Sequence, residues 1–150
     1  TGGVRIIGED HMIKNNYAEN LEGDGYRAAF CFMKGIPNSP ANGYYEVKNV
    51  TLVGNTAIDC KVTLAIGEGD RKEASLPPVN CTVRDNILIS PKRPIIALTA
   101  IGEGWKWQNN VMNGKSIGIE GLPGIVVDES PKLGKPRVLT RSETGVKWLD

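Results

Sequence analysis

Ile13-Lys14-Asn15-Asn16, Leu52-Val53-Gly54-Asn55 and Val83-Arg84-Asp85-Asn86 share one pattern: an apolar residue, a spacer, a small or polar residue, then Asn. Asn110-Val111-Met112-Asn113 is a weaker copy. A second repeat, Ile-Gly-Glu, stands at Ile7-Gly8-Glu9, Ile66-Gly67-Glu68 and Ile101-Gly102-Glu103. The three strong Asn copies are 39 and 31 residues apart, uneven as in a ladder of one-turn units with loop insertions. Helical repeats keep a tighter period and a 3.6-residue periodicity, which is missing here. Asn tolerates left-handed backbone and bonds its own turn, so a recurrent Asn marks a corner. Stacked Asn side chains also bond one another up the ladder, and Asn16, Asn55 and Asn86 are read as structural.

Outward from these corners the apolar segments are short: Val4 to Ile7, Ala28 to Phe32, Tyr45 to Val47, Thr51 to Val53, Val62 to Ile66, Cys81 to Val83, Ile87 to Ile89 and Ile95 to Leu98. They read as rungs of a parallel β-solenoid, each coil burying its face against its neighbours. Composition agrees. Gly and Pro number 18 and 9 of 150 residues, more than a helical bundle tolerates. One domain is expected at this length. Residues 1–120 read as coils of the solenoid. From Gly121 onward, Leu122-Pro123-Gly124, Ser130-Pro131 and Gly134-Lys135-Pro136 break regular structure. Residues 121–150 are therefore expected to form an extended tail packed on the solenoid. Leu139, Val146 and Trp148 would anchor it, and Ser142 or Glu143 could open a short helical turn.

A formal charge of +1 speaks against a nucleic-acid binder, and no apolar run reaches the roughly 20 residues that span a bilayer. Neither nucleic acid nor membrane is expected as a partner. Three Cys and one His do not suggest a zinc site or a disulfide framework. Cys31, Cys60 and Cys81 read as small buried apolar positions.

Gly3-Val4-Arg5-Ile6-Ile7-Gly8-Glu9-Asp10-His11-Met12-Ile13-Lys14-Asn15-Asn16-Tyr17 resembles the later coils of polysaccharide lyase family 6, which contains alginate lyases and chondroitinase B. The similarity continues through Gly25 to Ala29, Pro37 to Pro40, Tyr45 to Asn49 and Asn55 to Cys60. Leu139-Thr140 and Gly145-Val146-Lys147-Trp148 resemble the end of the catalytic domain in the alginate-degrading members. The resemblance implies an all-β fold, a right-handed parallel β-helix present here in part, and β-elimination on an acidic polysaccharide. In that reaction a cation neutralises the uronate carboxylate, a base removes the C5 proton and an acid protonates the leaving oxygen. In the family a Lys is the base, an Arg the acid, and Ca2+ held by Asn and Glu is the cation.

Those residues precede the Gly-Gly-Val-Arg motif in the family, and this chain begins at the motif. No catalytic residue and no metal ligand is therefore assigned. The calcium ligands are expected outside the chain, and the N-terminal half of the same β-helix is the expected partner, since a solenoid cut in mid-stack exposes an unpaired edge.

Substrate binding remains. Arg5 matches a family Arg near the cleft, and a guanidinium suits a bidentate carboxylate contact. The competing reading is a strand Arg paired with Glu9 or Asp10. Chondroitinase B carries an aromatic residue here, so Arg5 favours alginate over dermatan sulfate. Tyr44 and Tyr45 cannot both face inward on a strand, and Tyr44 is assigned to the cleft. Arg27 either reaches a uronate or pairs with Asp24. Arg71 and Lys72 lie in a loop whose counterpart in chondroitinase B contacts sugar, but Glu68, Asp70 and Glu73 also make it a solvated mixed-charge loop. Trp105 and Trp107 read as cover for an apolar edge, His11 as an outer turn residue, and Glu68 and Glu103 as sharing a turn role. The expectation is part of a secreted or periplasmic lyase acting on alginate. The alternative is a non-catalytic carbohydrate-binding or structural β-solenoid.

Overall fold

The computed structural model describes residues 2–127. Its strands run in coils of three. β1 (Val4–Ile6), β2 (Met12–Lys14) and β3 (Tyr17–Glu19) form the first coil. A 3-10 turn at Gly25–Arg27 leads to the second, β4 (Phe30–Met33), β5 (Thr51–Val53) and β6 (Thr56–Ile58). The third is β7 (Leu64–Glu68), β8 (Thr82–Arg84) and β9 (Ile87–Pro94). The fourth is β10 (Ile96–Leu98), β11 (Lys106–Gln108) and β12 (Asn110–Ser116), and β13 (Ile125–Val127) follows. Like strands of successive coils pair in parallel, giving three sheets: β1-β4-β7-β10, β2-β5-β8-β11 and β3-β6-β9-β12-β13. This is a parallel β-helix.

Register puts like residues in stacks. Val4, Phe30, Leu64 and Ile96 line up on the first sheet; Ile6, Phe32 and Ile66 form a second row. Ile13, Leu52, Val83 and Trp107 stack on the second sheet, and Ala57, Leu88 and Met112 on the third. All belong to or pack on one core. The flat shape of each rung makes every core side chain depend on the coils above and below.

The corner between the second and third sheets explains the Asn pattern. Asn15, Gly54, Asp85 and Asn109 all have φ between 50° and 63°, the left-handed turn that Asn, Asp and Gly adopt at least cost. The next residue begins the ladder. The backbone N–H and Nδ2 of Asn16 both donate to Oδ1 of Asn55 at 2.9 Å. Asn55 donates likewise to Asn86, and Asn86 to Asn110. Each Nδ2 also reaches back one coil: Asn55 to the Ile13 carbonyl, Asn86 to Leu52, Asn110 to Val83. Fully buried amides are thus paired at both ends, as burial demands. The fourth rung is Asn110, not Asn113: Trp107 pairs with Val83, so the fourth copy of the pattern is Trp107-Gln108-Asn109-Asn110.

Three further expectations change. Tyr45 to Val47 is not a strand; only the next residue, Lys48, makes isolated bridges, to Glu9 and Val79. Glu68 and Glu103 are not equivalent. Glu68 ends β7 and accepts from Thr99 Oγ1 at 3.3 Å, whereas the Glu103 main-chain carbonyl accepts from the Asn80 N–H in a corner. The ladder also continues beyond residue 120, since β13 pairs with β12 in parallel. Leu139, Ser142, Glu143, Val146 and Trp148, with the rest of the expected tail past Val127, lie outside the described residues.

Trp105 and Trp107 are structural. Trp107 is 6% exposed, stacks on Trp105 at 5.6 Å, and Trp105 meets Phe32 at 5.1 Å while donating its indole N–H to the Pro78 carbonyl. No helix among the described residues is long and apolar enough to cross a membrane.

Candidate functional site

The outward row of the first sheet is Arg5, Cys31, Ala65 and Ala97. After Arg5 these residues are small, which leaves a shallow floor. Ala28, Cys31, Met33 and Ala65 pack under Ile7, Tyr44 and Val62 to form it. Three insertions rise around this floor: the 3-10 turn, the loop between β4 and β5, and the loop between β7 and β8. Together they enclose a cleft of about 290 Å3 lined by Arg5, Tyr26, Lys34, Tyr44, Asp70 and Arg71.

Close backbone approach sets each wall. A Cβ on Gly3 would lie 2.1 Å from the Ala29 carbonyl oxygen, and one on Gly2 2.7 Å from Arg27 Cα. The Gly-Gly pair therefore lets the 3-10 turn sit tight against the strand bearing Arg5. A Cβ on Gly35 would stand 2.5 Å from Glu46 Cα, so the second loop folds back on itself there. Ile36 N–H donates to the Tyr44 carbonyl at 2.8 Å, which fixes Tyr44 over the floor. Gly35 and Leu76 exchange two backbone hydrogen bonds, tying the second loop to the third.

The arginines separate cleanly from the ion pairs around them. Glu9 pairs with Lys48 at 2.9 Å, and this contact raises the Lys48 pKa. Asp10 accepts from Asn49 Nδ2, and Asp24 pairs with Lys61 at 2.6 Å. So the acids proposed as partners for Arg5 and Arg27 are engaged elsewhere. Arg5 and Arg27 instead both lie over the ring of Tyr26, each 5.4 Å from its centroid. Arg71 lies over the ring of Tyr44 at 4.9 Å. Among the described residues none of these three exposed guanidiniums has an acidic partner within ion-pair distance.

Arg5, Tyr44 and Arg71 are thus brought together in the cleft, and Arg27 stands beside it through Tyr26. Tyr45 is 46% exposed and does not line the cleft. Tyr26 and Lys34 also line the cleft and were not singled out in the sequence. The Gly25-Tyr26-Arg27 run carried a signal, an aromatic next to a basic residue in a turn. Lys34 carried none, because it follows the apolar run of β4.

Nucleophilic chemistry finds little support in these residues. Burial, and then the charge of Glu68, push the Cys31 thiol up to about 12, while Arg5 lowers it. A thiol so held is not a thiolate at neutral pH. His11 is exposed, with Nε2 2.8 Å from the Ile7 carbonyl, so that nitrogen carries the proton. Among the described residues no three His, Cys, Asp or Glu side chains gather as metal ligands. No chemical step is assigned to a metal here.

No curated protein sequence matches the chain. The solved "Structure of PL6 family alginate lyase AlyGC" is similar at 25% identity with a TM-score of 0.78; it covers 100% of this chain, which spans 23% of that one. A mutant form of the same lyase is similar at 24% identity and the same TM-score and coverage. The family model described as Chondroitinase B matches residues 1–138. On that match over most of its length, the chain belongs to the chondroitinase B family of PL6-related polysaccharide lyases.

Proposed function

We propose that this chain forms substrate-binding coils of a polysaccharide lyase that cleaves alginate by β-elimination. One observation carries the reading: Arg5 and Arg71 line one cleft and Arg27 stands beside it, each guanidinium lies over a tyrosine ring, and none makes an ion pair with a described acid. Guanidiniums left unpaired at a groove suit an array of carboxylates, which a polyuronate presents. The similarity to an alginate lyase supports alginate over dermatan sulfate.

In this proposal the arginines draw charge from the uronate carboxylate, and that withdrawal makes the neighbouring C5 proton easier to remove. The base, the acid and Ca2+ belong to other coils of the enzyme, on the N-terminal half of the same β-helix. Alginate is an external polymer, so the enzyme is placed outside the cytoplasm, secreted or periplasmic. The test is ultraviolet detection of the unsaturated product with alginate and dermatan sulfate offered separately and Ca2+ present. It is run on this chain and on the longest protein that contains it. Product from alginate in the longer form alone supports the reading. Product from dermatan sulfate alone overturns the substrate, and product from this chain alone overturns the placement of the catalytic pair. No product from either, with oligosaccharide binding intact, favours a non-catalytic binding solenoid.

A further inference from the structure

Tyr26 lies 46% exposed at the centre of the 3-10 turn, with two cations over one ring. Bringing two guanidiniums together costs electrostatic energy unless something offsets it. Elsewhere in this protein acids do so, at Glu9–Lys48 and Asp24–Lys61. Asp70 lines the same cleft without an ion pair to Arg5 or Arg27, and Glu68 Oε2 lies 3.4 Å from where a Cβ on Gly25 would stand. Its Oε1 accepts from Thr99, and it makes no ion pair with Arg5 or Arg27. Both cations thus lie over the negative face of the phenol ring and in no ion pair, and a ring face leaves the N–H edges of a guanidinium free to bind an anion.

We propose that Tyr26 is a positioning residue that fixes Arg5 and Arg27 as a clamp for two carboxylates on neighbouring residues of one acidic sugar chain. The two guanidinium carbons are no more than twice 5.4 Å apart, a span that one oligosaccharide can bridge. The backbone is built for this placement. Gly25 takes φ 52°, Ala28 N–H closes the turn on the Gly25 carbonyl at 3.1 Å, and Gly2 and Gly3 admit the turn against β1. Arg5 and Arg27 come from different coils, and Tyr26 makes them act as a pair. This inference rests on the proposed polyuronate function and names a residue that function does not require.

The test is calorimetric titration of the protein with a uronate tetrasaccharide and with a single uronate, comparing wild type, Tyr26→Phe and Tyr26→Leu. Tyr26→Leu should weaken tetrasaccharide binding roughly 5- to 30-fold, the change expected for two exposed cation–π contacts. Tyr26→Phe keeps the ring and should bind within about twofold of wild type, a small part of one such contact. The single uronate, which cannot bridge the pair, should bind all three alike. Order parameters of the arginine Nε–H groups give a ligand-free readout: Arg5 and Arg27 should loosen in Tyr26→Leu and not in Tyr26→Phe. Unchanged tetrasaccharide affinity and unchanged order in Tyr26→Leu overturn the inference alone. A wild type that binds no acidic oligosaccharide overturns the polyuronate reading and the clamp with it. Loosened arginines in that case leave only the ring contact standing.

Discussion

The guanidinium of Arg71 rests over the ring of Tyr44, 4.9 Å from its centroid, joining the loop that follows β7 to the loop that follows β4. The two residues are 27 positions apart, and the paired backbone of Gly35 and Leu76 brings their loops together. A ring under a guanidinium restricts its orientation without using its hydrogen-bond donors. The contact therefore aims Arg71 into the cleft.

From that geometry, Arg71→Ala should weaken binding of an alginate oligosaccharide about ten- to a hundredfold, since a hydrogen bond to a charged group contributes about 1.5–3 kcal/mol. Arg71→Lys should recover little, because an ammonium lacks the planar fork. Titration at two salt concentrations checks it. Equal affinity of Arg71→Ala and wild type would place Arg71 outside the site.

The Asn ladder makes a prediction about stability. Asn55 Nδ2 donates to Ile13, Val53 and Asn86, and its Oδ1 accepts twice from Asn16. Asn55→Ala leaves the Ile13 carbonyl and the Asn16 N–H without these partners inside the corner. The expected cost is about 2–4 kcal/mol, from one or more buried groups left unpaired. A denaturant midpoint measures it. An exposed corner control, Asn49→Ala, loses one surface bond to Asp10 and puts Ala at a φ of 55°, and should cost less, about 1–2 kcal/mol.

Much of this fold is written in the chain because the β-helix repeats its own rules. The same left-handed position followed by Asn recurs at Asn16, Asn55 and Asn86, and each copy reports one corner. Asn110 escaped notice because Trp107 replaces the aliphatic residue of the other copies, and only the pairing with Val83 reveals the register. Tyr45 to Val47 looked like a strand because its apolar residue Val47 is indeed buried. What takes the segment off the ladder is the fold-back at Gly35, a contact between residues 11 apart that no local pattern reports. The site was legible in the same unequal way. Arg5 and Tyr44 are marked by motif, whereas the meeting of Arg5 with Tyr26 depends on β1 lying beside β4, one coil on.

The glycines at the start of β1 can be tested directly. Gly3→Ala places a Cβ 2.1 Å from the Ala29 backbone oxygen, a contact that no rotamer relieves. The 3-10 turn must move away from β1, carrying Tyr26 from Arg5. Oligosaccharide affinity should fall together with stability, the latter by about 1–3 kcal/mol as in other overpacked sites. Gly121→Ala is the control, since nothing lies within 4 Å of a Cβ there, although its φ of 67° still adds local strain. It should leave oligosaccharide affinity unchanged.

Alkaline pH should weaken the fold through its thiols. Burial raises the Cys31 pKa from 9.0 to about 12 and the Cys81 pKa from 9.0 to about 11, with the Glu68 charge adding to the effect on Cys31. In the unfolded chain both thiols lose their protons near 9.0, while the folded protein keeps them until about 11 or 12. Between those values the unfolded state binds fewer protons, so stability falls as pH rises. Well below pH 9 both states hold the same protons, and these thiols contribute almost no slope. Denaturant midpoints at pH 7, 8.5 and 10 should therefore be nearly level across the first two and lower at the third. Cys31→Ala with Cys81→Ala should flatten part of that drop. The same burial should leave all three free cysteines silent to a thiol reagent at pH 8 until denaturant is added. Prompt labelling of Cys31 in native protein would show that the floor of the cleft opens to solvent.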